Sequence, residues 1–227
     1  QAAVYSIITD ETKSLESILD NPDMPPDKRQ HFLERCYAQS ERMNRLLLDM
    51  SVLTKLDEME DNPSGSSLQF QQLDVSQIVR NVLDDTALEL QQRNMSVSCN
   101  IPSLILVLGD PSLLYSVFRN IIDNILTHAS DADQVNIQCI SGMVDNSPSF
   151  LFSISDNGKG VDPRHLPHLF ERFYRVDEGR SRKLGGTGLG LSIVKNAVVA
   201  HGGTITAENA PGGGLTIRFS LPMAPSA

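Results

Sequence analysis

The chain has 227 residues, of which 40% are hydrophobic and 21% charged, with a formal net charge of −9. This is the composition of a folded globular protein, and the length suits one domain plus a smaller element. The acidic balance, with no long Lys/Arg run, excludes a nucleic-acid partner, whose phosphate backbone needs a basic stripe; no stretch reaches the roughly 18 apolar residues of a membrane span.

The three cysteines, Cys36, Cys99 and Cys139, are odd in number and stand in no metal-binding spacing. A reducing compartment and three small core residues are therefore expected. The chain opens at Gln1 inside what already reads as a helix, as a piece of a longer protein would.

In chain order, Val4, Ile8, Leu15 and Ile18 keep helical spacing until Asn21-Pro22-Asp23-Met24-Pro25-Pro26 interrupts it with turn chemistry. Over residues 27–56, apolar residues fall at Phe32, Cys36, Met43, Leu46, Met50 and Leu53. These are alternating steps of three and four apart from a gap at Gln39, which predicts a helix of roughly eight turns with a coiled-coil-like seam. Residues 1–60 thus read as a helical hairpin. It is too thin to bury its own seam, so a homodimer forming a four-helix bundle is expected.

Residues 61–67, Asp-Asn-Pro-Ser-Gly-Ser-Ser, form a polar, turn-rich linker, and residues 68–227 alternate strands with helices. Helices are predicted at residues 75–92, 111–128 and 189–201, and strands at 95–100, 135–141, 150–155, 204–208 and 215–221. The fold class is α+β, a hairpin followed by a two-layer α/β sandwich.

Two glycine-rich segments carry chemistry. Asp156-Asn157-Gly158-Lys159-Gly160 follows a strand directly, putting a carboxylate and two positions without side chains where the chain leaves the sheet. A buried carboxylate accepts a hydrogen bond from the exocyclic amine of adenine, and the glycines admit close backbone approach; the same pattern is also a common strand-to-loop turn. Gly185-Gly186-Thr187-Gly188-Leu189-Gly190 stands immediately before a helical run, so free amide donors and the positive helix end face one point, as a phosphate site requires. It is no Walker A loop, because Leu191 and Ser192 stand where Lys and Ser/Thr are needed. Nor is it a Rossmann fingerprint, because Leu191 occupies the third glycine's place.

Together with two further boxes, these segments resemble the catalytic core of a two-component sensor histidine kinase, whose GHKL (Bergerat) ATPase fold is shared more distantly with gyrase, heat-shock chaperones and mismatch-repair ATPases. Arg119-Asn120-Ile121-Ile122-Asp123-Asn124 looks like the N box, and Asp156 to Gly160 like the first G box. Leu169-Phe170-Glu171-Arg172-Phe173-Tyr174-Arg175 looks like the F box, and Gly185 to Lys195 like the second G box. His201-Gly202-Gly203 with the closing hairpin completes the order.

The resemblance implies ATP and Mg²⁺ as cofactors. Asn124 corresponds to the Mg²⁺ ligand, Asn120 to a cleft-lining neighbour and Asp156 to the adenine-binding aspartate. Gly158, Gly160, Gly186, Thr187, Gly188, Leu189 and Gly190 belong to the nucleotide loops, and Arg175 to a phosphate contact. Residues 161–184 correspond to the ATP lid, with Arg172, Arg175, Arg180, Arg182 and Lys183 as its cations and Phe170 and Phe173 as apolar latches. Two positions depart from the family, since Thr127 stands where a basic residue is frequent and His128 where Tyr is frequent.

The family phosphorylates a His on the first hairpin helix, in a pattern like HELxTP, which this sequence does not contain. None of the five histidines, His31, His128, His165, His168 and His201, lies on that helix. Matching Ser14-Leu15-Glu16-Ser17-Ile18-Leu19 to the family's helix end places the acceptor near Ala2, its acidic neighbour near Ala3 and the proline near Ile7, none of them competent for the transfer. A degenerate acceptor, an altered start and a His before Gln1 are the alternatives. The resemblance further implies a response-regulator receiver domain as partner and a cytoplasmic placement within an inner-membrane sensor protein.

Overall fold

The computed structural model describes residues 12–13, 15–61, 70–176 and 187–225. A first helix, α1, is helical at its described residues 12, 13 and 15–19, and α2 runs Pro26–Asp61. Proline is suited to a first helical position, where its missing N–H has no partner to lose, and Asp27 complements the positive helix end. On α2 the buried positions are Cys36, Leu46, Leu53 and Leu56, while Met50, expected in the seam, is 48% exposed. The reason lies in what α2 packs against. Leu46 and Leu53 close onto Leu189, just before the last helix, and Ile193 within it, which turns the buried stripe away from Met50.

Beyond it come β1 (Gln71–Asp74), α3 (Val75–Gln92), β2 (Ser96–Asn100), β3 (Leu106–Gly109), α4 (Pro111–His128), β4 (Gln134–Val144), β5 (Ser147–Asp156), α5 (Gly190–Ala200), β6 (Ile205–Asn209) and β7 (Leu215–Pro222). The main sheet has the order β2-β4-β5-β7-β6, parallel between β2 and β4 and antiparallel elsewhere; β1 and β3 pair separately. Both α3 and α4 start on aspartate caps. Asp74 accepts from the Ser76 N–H, and Asp110 accepts from the Ser112 and Leu113 N–H groups, each satisfying donors the helix leaves free.

The apolar side of α4, from Leu113 through Leu126, is buried at intervals of three and four against the sheet. Phe118 meets Phe152 and Phe219 edge-on, while those two rings stack at 4.9 Å. Burying this face holds the opposite one, with Asn120 and Asn124, toward a cleft.

The predicted helices at 75–92 and 111–128 match α3 and α4. The strands β1 and β3 were not anticipated, because four-residue strands carry too little alternation to be read. The β4–β5 hairpin extends further than expected, through Gly142 and Pro148, which look like breakers in isolation. Asp145 and Asn146, at φ 48° and 63°, supply the left-handed pair that a tight hairpin turn needs. A 3-10 helix, Pro163–His168, occupies the segment expected to be lid. Cys36 and Cys139 are buried as expected, but Cys99 is exposed because β2 is an edge strand of the sheet.

Candidate functional site

Two cavities meet beside α4, at Asn124, Thr127, Leu169, Val176 and Leu191. The larger, about 810 Å³, is lined by Asp156, Gly160, His128, Asp131 and Asn209. The smaller, about 410 Å³, is lined by Asn120, Asp49, Thr187, Gly188 and Gly190. Asn124 therefore stands between a carboxylate end and a glycine-loop end.

At the carboxylate end, Asp156 leaves β5 only 8% exposed. The Gly158 N–H donates to Oδ1 at 2.9 Å and the Leu215 N–H to Oδ2 at 3.3 Å. Burial pushes its pKa above the ordinary carboxylate value and the nearby Asp131 charge adds to this, while the amide donors act in the opposite sense. Gly158 is tightly packed, since a Cβ there would lie 3.0 Å from Asp156 Oδ1 and 3.2 Å from Asp131 Oδ1 and those carboxylates would have to shift. Gly160 is required by conformation, at φ +72°.

Two asparagines that sequence reading did not single out brace this segment. Asn157 Oδ1 accepts the Asp133 and Gln134 N–H groups at 3.0 Å each, and its Nδ2 donates to Asp133 Oδ1 at 2.7 Å. Asn209 Oδ1 accepts the Val161 N–H at 2.9 Å while its Nδ2 donates to the Val161 carbonyl at 2.6 Å. An amide side chain thus pairs with the backbone as a neighbouring strand would. Asn209 lies 48 residues from Val161, so nothing local in the sequence signals the contact.

At the other end, Asn120 Nδ2 donates to the Ser116 carbonyl at 2.9 Å, which turns Oδ1 toward α5, where a Cβ on Gly190 would lie 2.7 Å away. Gly188 has φ +73° and passes under Phe173, whose N–H donates to the Gly188 carbonyl at 2.8 Å. Phe173 was expected to latch through its ring. The ring is 58% exposed and the backbone forms the tether, whereas Phe170 does pack against the core. Leu189 is fully buried beneath the loop, and its N–H donates to Thr187 Oγ1 at 3.2 Å.

Arg175 lies near His128, and burial, with the Arg175 charge second, lowers the His128 pKa. Arg172 pairs with Asp57 of α2 at 3.1 Å and holds that carboxyl below its usual range. Arg119, from the N box, pairs with Asp123 at 2.9 Å and Glu89 at 3.2 Å, tying α4 to α3. Arg180, Arg182, Lys183, Gly185 and Gly186 lie outside the described residues, as do Ala2, Ala3, Ile7 and residues 62–67 of the linker. The site residues that are described, Asn120, Asn124, Asp156, Gly158, Gly160, Arg175, Thr187, Gly188, Leu189 and Gly190, all border the two cavities or their immediate walls.

Comparison with known proteins bears on this geometry. Residues 109–225 match the profile of the family described as histidine kinase-, DNA gyrase B-, and HSP90-like ATPase. The chain is 33% identical over 212 residues to the phosphate regulon sensor protein PhoR of Pseudomonas aeruginosa, covering 93% of this chain and 45% of that protein. It is 32% identical over 192 residues to the sensor histidine kinase CpxA of Escherichia coli, covering 84% and 39%. With the sensor histidine kinase WalK of Bacillus subtilis it shares 35% over 211 residues, covering 91% and 32%. The chain thus spans less than half the length of these relatives. Among solved structures, the Acinetobacter baumannii histidine kinase AdeS superposes with a TM-score of 0.70 at 23% identity, over 98% of each chain. Full-length ShkA in complex with AMPPNP superposes with a TM-score of 0.66 at 20% identity, over 100% of this chain and 46% of that one. At such identities the likeness is one of fold.

Proposed function

Because this chain belongs to the histidine kinase-, DNA gyrase B- and HSP90-like ATPase family and carries a sensor histidine kinase core, we propose that it binds Mg-ATP in the paired cavities and supplies the γ-phosphate to a histidine, from which it passes to a response-regulator aspartate. The observation that supports this most is the meeting of the two cavities at Asn124, with a buried carboxylate at one end and a glycine loop at a helix start at the other.

The donor set fits the parts of the nucleotide. Asp156 accepts the adenine amine, a hydrogen bond stronger than a neutral one because the acceptor is charged. Gly158 and Gly160 keep the adenine end free of Cβ atoms, and Asn157 and Asn209 hold the backbone there. Of the glycine loop, Gly188 and Gly190 would present amides to the phosphates at the start of α5, Gly186 lying outside the described residues; Arg175 adds positive charge, and Asn120 lines the cleft. Among the described residues no group of three or more His, Cys, Asp or Glu is arranged to hold a metal. Mg²⁺ would be held by the Asn124 amide oxygen together with phosphate and water, and would neutralise charge on the transferring group. Transfer itself then asks little covalent chemistry of the protein, which mainly positions the reactants.

The hairpin of residues 1–60 is the proposed dimerisation element, residues 68–227 the ATP-binding domain, and the receiver domain of a response regulator the partner. Exposed Leu33, Tyr37, Leu47 and Leu48 on α2 are apolar surface available to a second copy. Among the described residues no helix is long and apolar enough to cross a membrane, so anchoring in an inner membrane would rest on other segments of a longer sensor protein, with this part on the cytoplasmic side.

A second reading follows if the position matched to the acceptor, near Ala2, is the true one, since an alanine has no atom that can take the phosphate. Under it the chain is an ATP-binding pseudokinase that controls a partner through nucleotide occupancy. Incubating the protein, in the sequence context of its own gene, with labelled ATP and Mg²⁺ separates the two. The kinase reading predicts acid-labile, base-stable phosphate on the protein. Bound nucleotide without phosphoprotein, together with nucleotide-dependent partner affinity, would support the pseudokinase instead.

A further inference from the structure

The hairpin reaches into the glycine-loop end of the cleft. Asp49 of α2 lines the smaller cavity beside Asn120, Asn124 and Gly188, and its Oδ2 accepts the Thr187 hydroxyl at 2.9 Å. The same Thr187 oxygen accepts the Leu189 N–H, which would otherwise be one of the free donors at the start of α5. Two separate contacts hold α2 in this position. Arg172 pairs with Asp57 two turns further along, and Leu46 and Leu53 pack on Leu189 and Ile193.

A hydroxyl has one proton to give, so Thr187 donates either to Asp49 or to a phosphate oxygen, never to both. A carboxylate is a stronger acceptor than a neutral oxygen, so Asp49 holds that proton away from the phosphates. Building on the ATP reading, we propose that Asp49 is an affinity-determining residue of the nucleotide site contributed by the hairpin, so that nucleotide occupancy and the docking of α2 on α5 oppose each other. The opposition is reciprocal: whatever factor docking takes from nucleotide affinity, bound nucleotide takes from docking. A change imposed on the hairpin would therefore be read at the glycine loop, and nucleotide loading would free α2.

The test is calorimetric titration of Mg-ATP and Mg-ADP into the whole chain as wild type, Asp49→Asn and Asp57→Asn, with amide hydrogen exchange of residues 46–53 followed in the wild type with and without nucleotide. Asp49→Asn offers Thr187 only a neutral acceptor, which holds the hydroxyl less tightly than a carboxylate, and is expected to tighten binding by about fivefold, the difference between a charge-assisted and a neutral hydrogen bond. Asp57→Asn loosens docking from outside the cavity and is expected to tighten binding as well, by a smaller factor. Nucleotide should speed exchange across residues 46–53. Unchanged or weaker binding by Asp49→Asn, or exchange that nucleotide leaves unaltered, overturns the proposal while the ATP reading stands. No binding by any of the three proteins overturns the ATP reading and this proposal together.

Discussion

His201 shows how a single side chain ties the site to the fold. It is 7% exposed; its Nδ1 donates to the Ala197 carbonyl at 2.7 Å and its Nε2 accepts the Asp110 N–H at 3.1 Å, so the ring bridges the end of α5 and the cap of α4. That arrangement requires the neutral ring, and burial lowers its pKa against the smaller opposing effects of Ala197 and Asp110. A His whose folded pKa lies below the unfolded one lets the unfolded state take protons first. Its stabilisation is complete above about pH 6.5 and is lost as pH falls below that value. Urea denaturation at a series of pH values should show stability declining below that point, with a shallower decline for His201→Gln; identical pH profiles would remove His201 as a cause. From sequence this histidine was visible only as part of a closing His-Gly-Gly. Asp156 was legible because its strand, its glycines and its carboxylate are contiguous. Asn209 and Asp49 were not, since each acts on a residue far away in the chain.

Among the elements, the turns divide by what a methyl group would strike. At Gly190, the first residue of α5, a Cβ meets the end of the Asn120 side chain, which can swing aside by giving up its bond to Ser116, a neutral hydrogen bond worth about 1 kcal/mol. Gly190→Ala should therefore leave stability within about 1 kcal/mol of wild type while weakening ATP binding through the displaced Asn120. At Gly214 a Cβ would lie 1.9 Å from the Asp156 carbonyl, at φ +94°, and backbone cannot yield. Gly214→Ala should cost more than about 2 kcal/mol in urea denaturation. Asn209→Ala removes both bonds to Val161 and releases the backbone at the adenine end, so it should weaken Mg-ATP binding in calorimetric titration; unchanged affinity would contradict that placement. The long helices α3 and α4 were readable because apolar spacing persists over many turns and aspartate caps mark their starts. The strands β1 and β3, and the ends of the β4–β5 hairpin, were not, because their limits are set by pairing partners rather than by their own residues.

On the scale of the molecule, a five-stranded sheet supports α4 and α5, and the cleft lies where those two helices leave it. The division into a helical hairpin and a sandwich could be proposed from the change in texture at the polar linker. How the two meet could not, because the Leu46, Leu53, Leu189 and Ile193 contact joins residues more than a hundred positions apart. ATP enters, on the proposed function, between Asp156 and the glycine loop. Titrating Mg-ATP into the wild type and Asp156→Asn by calorimetry tests this most directly. One site per chain is predicted, competed by ADP, with affinity at least about tenfold lower in the variant, as for loss of a charge-assisted bond of about 1.5–3 kcal/mol. Equal ATP affinity in the two proteins, with the variant's fold intact, would contradict it.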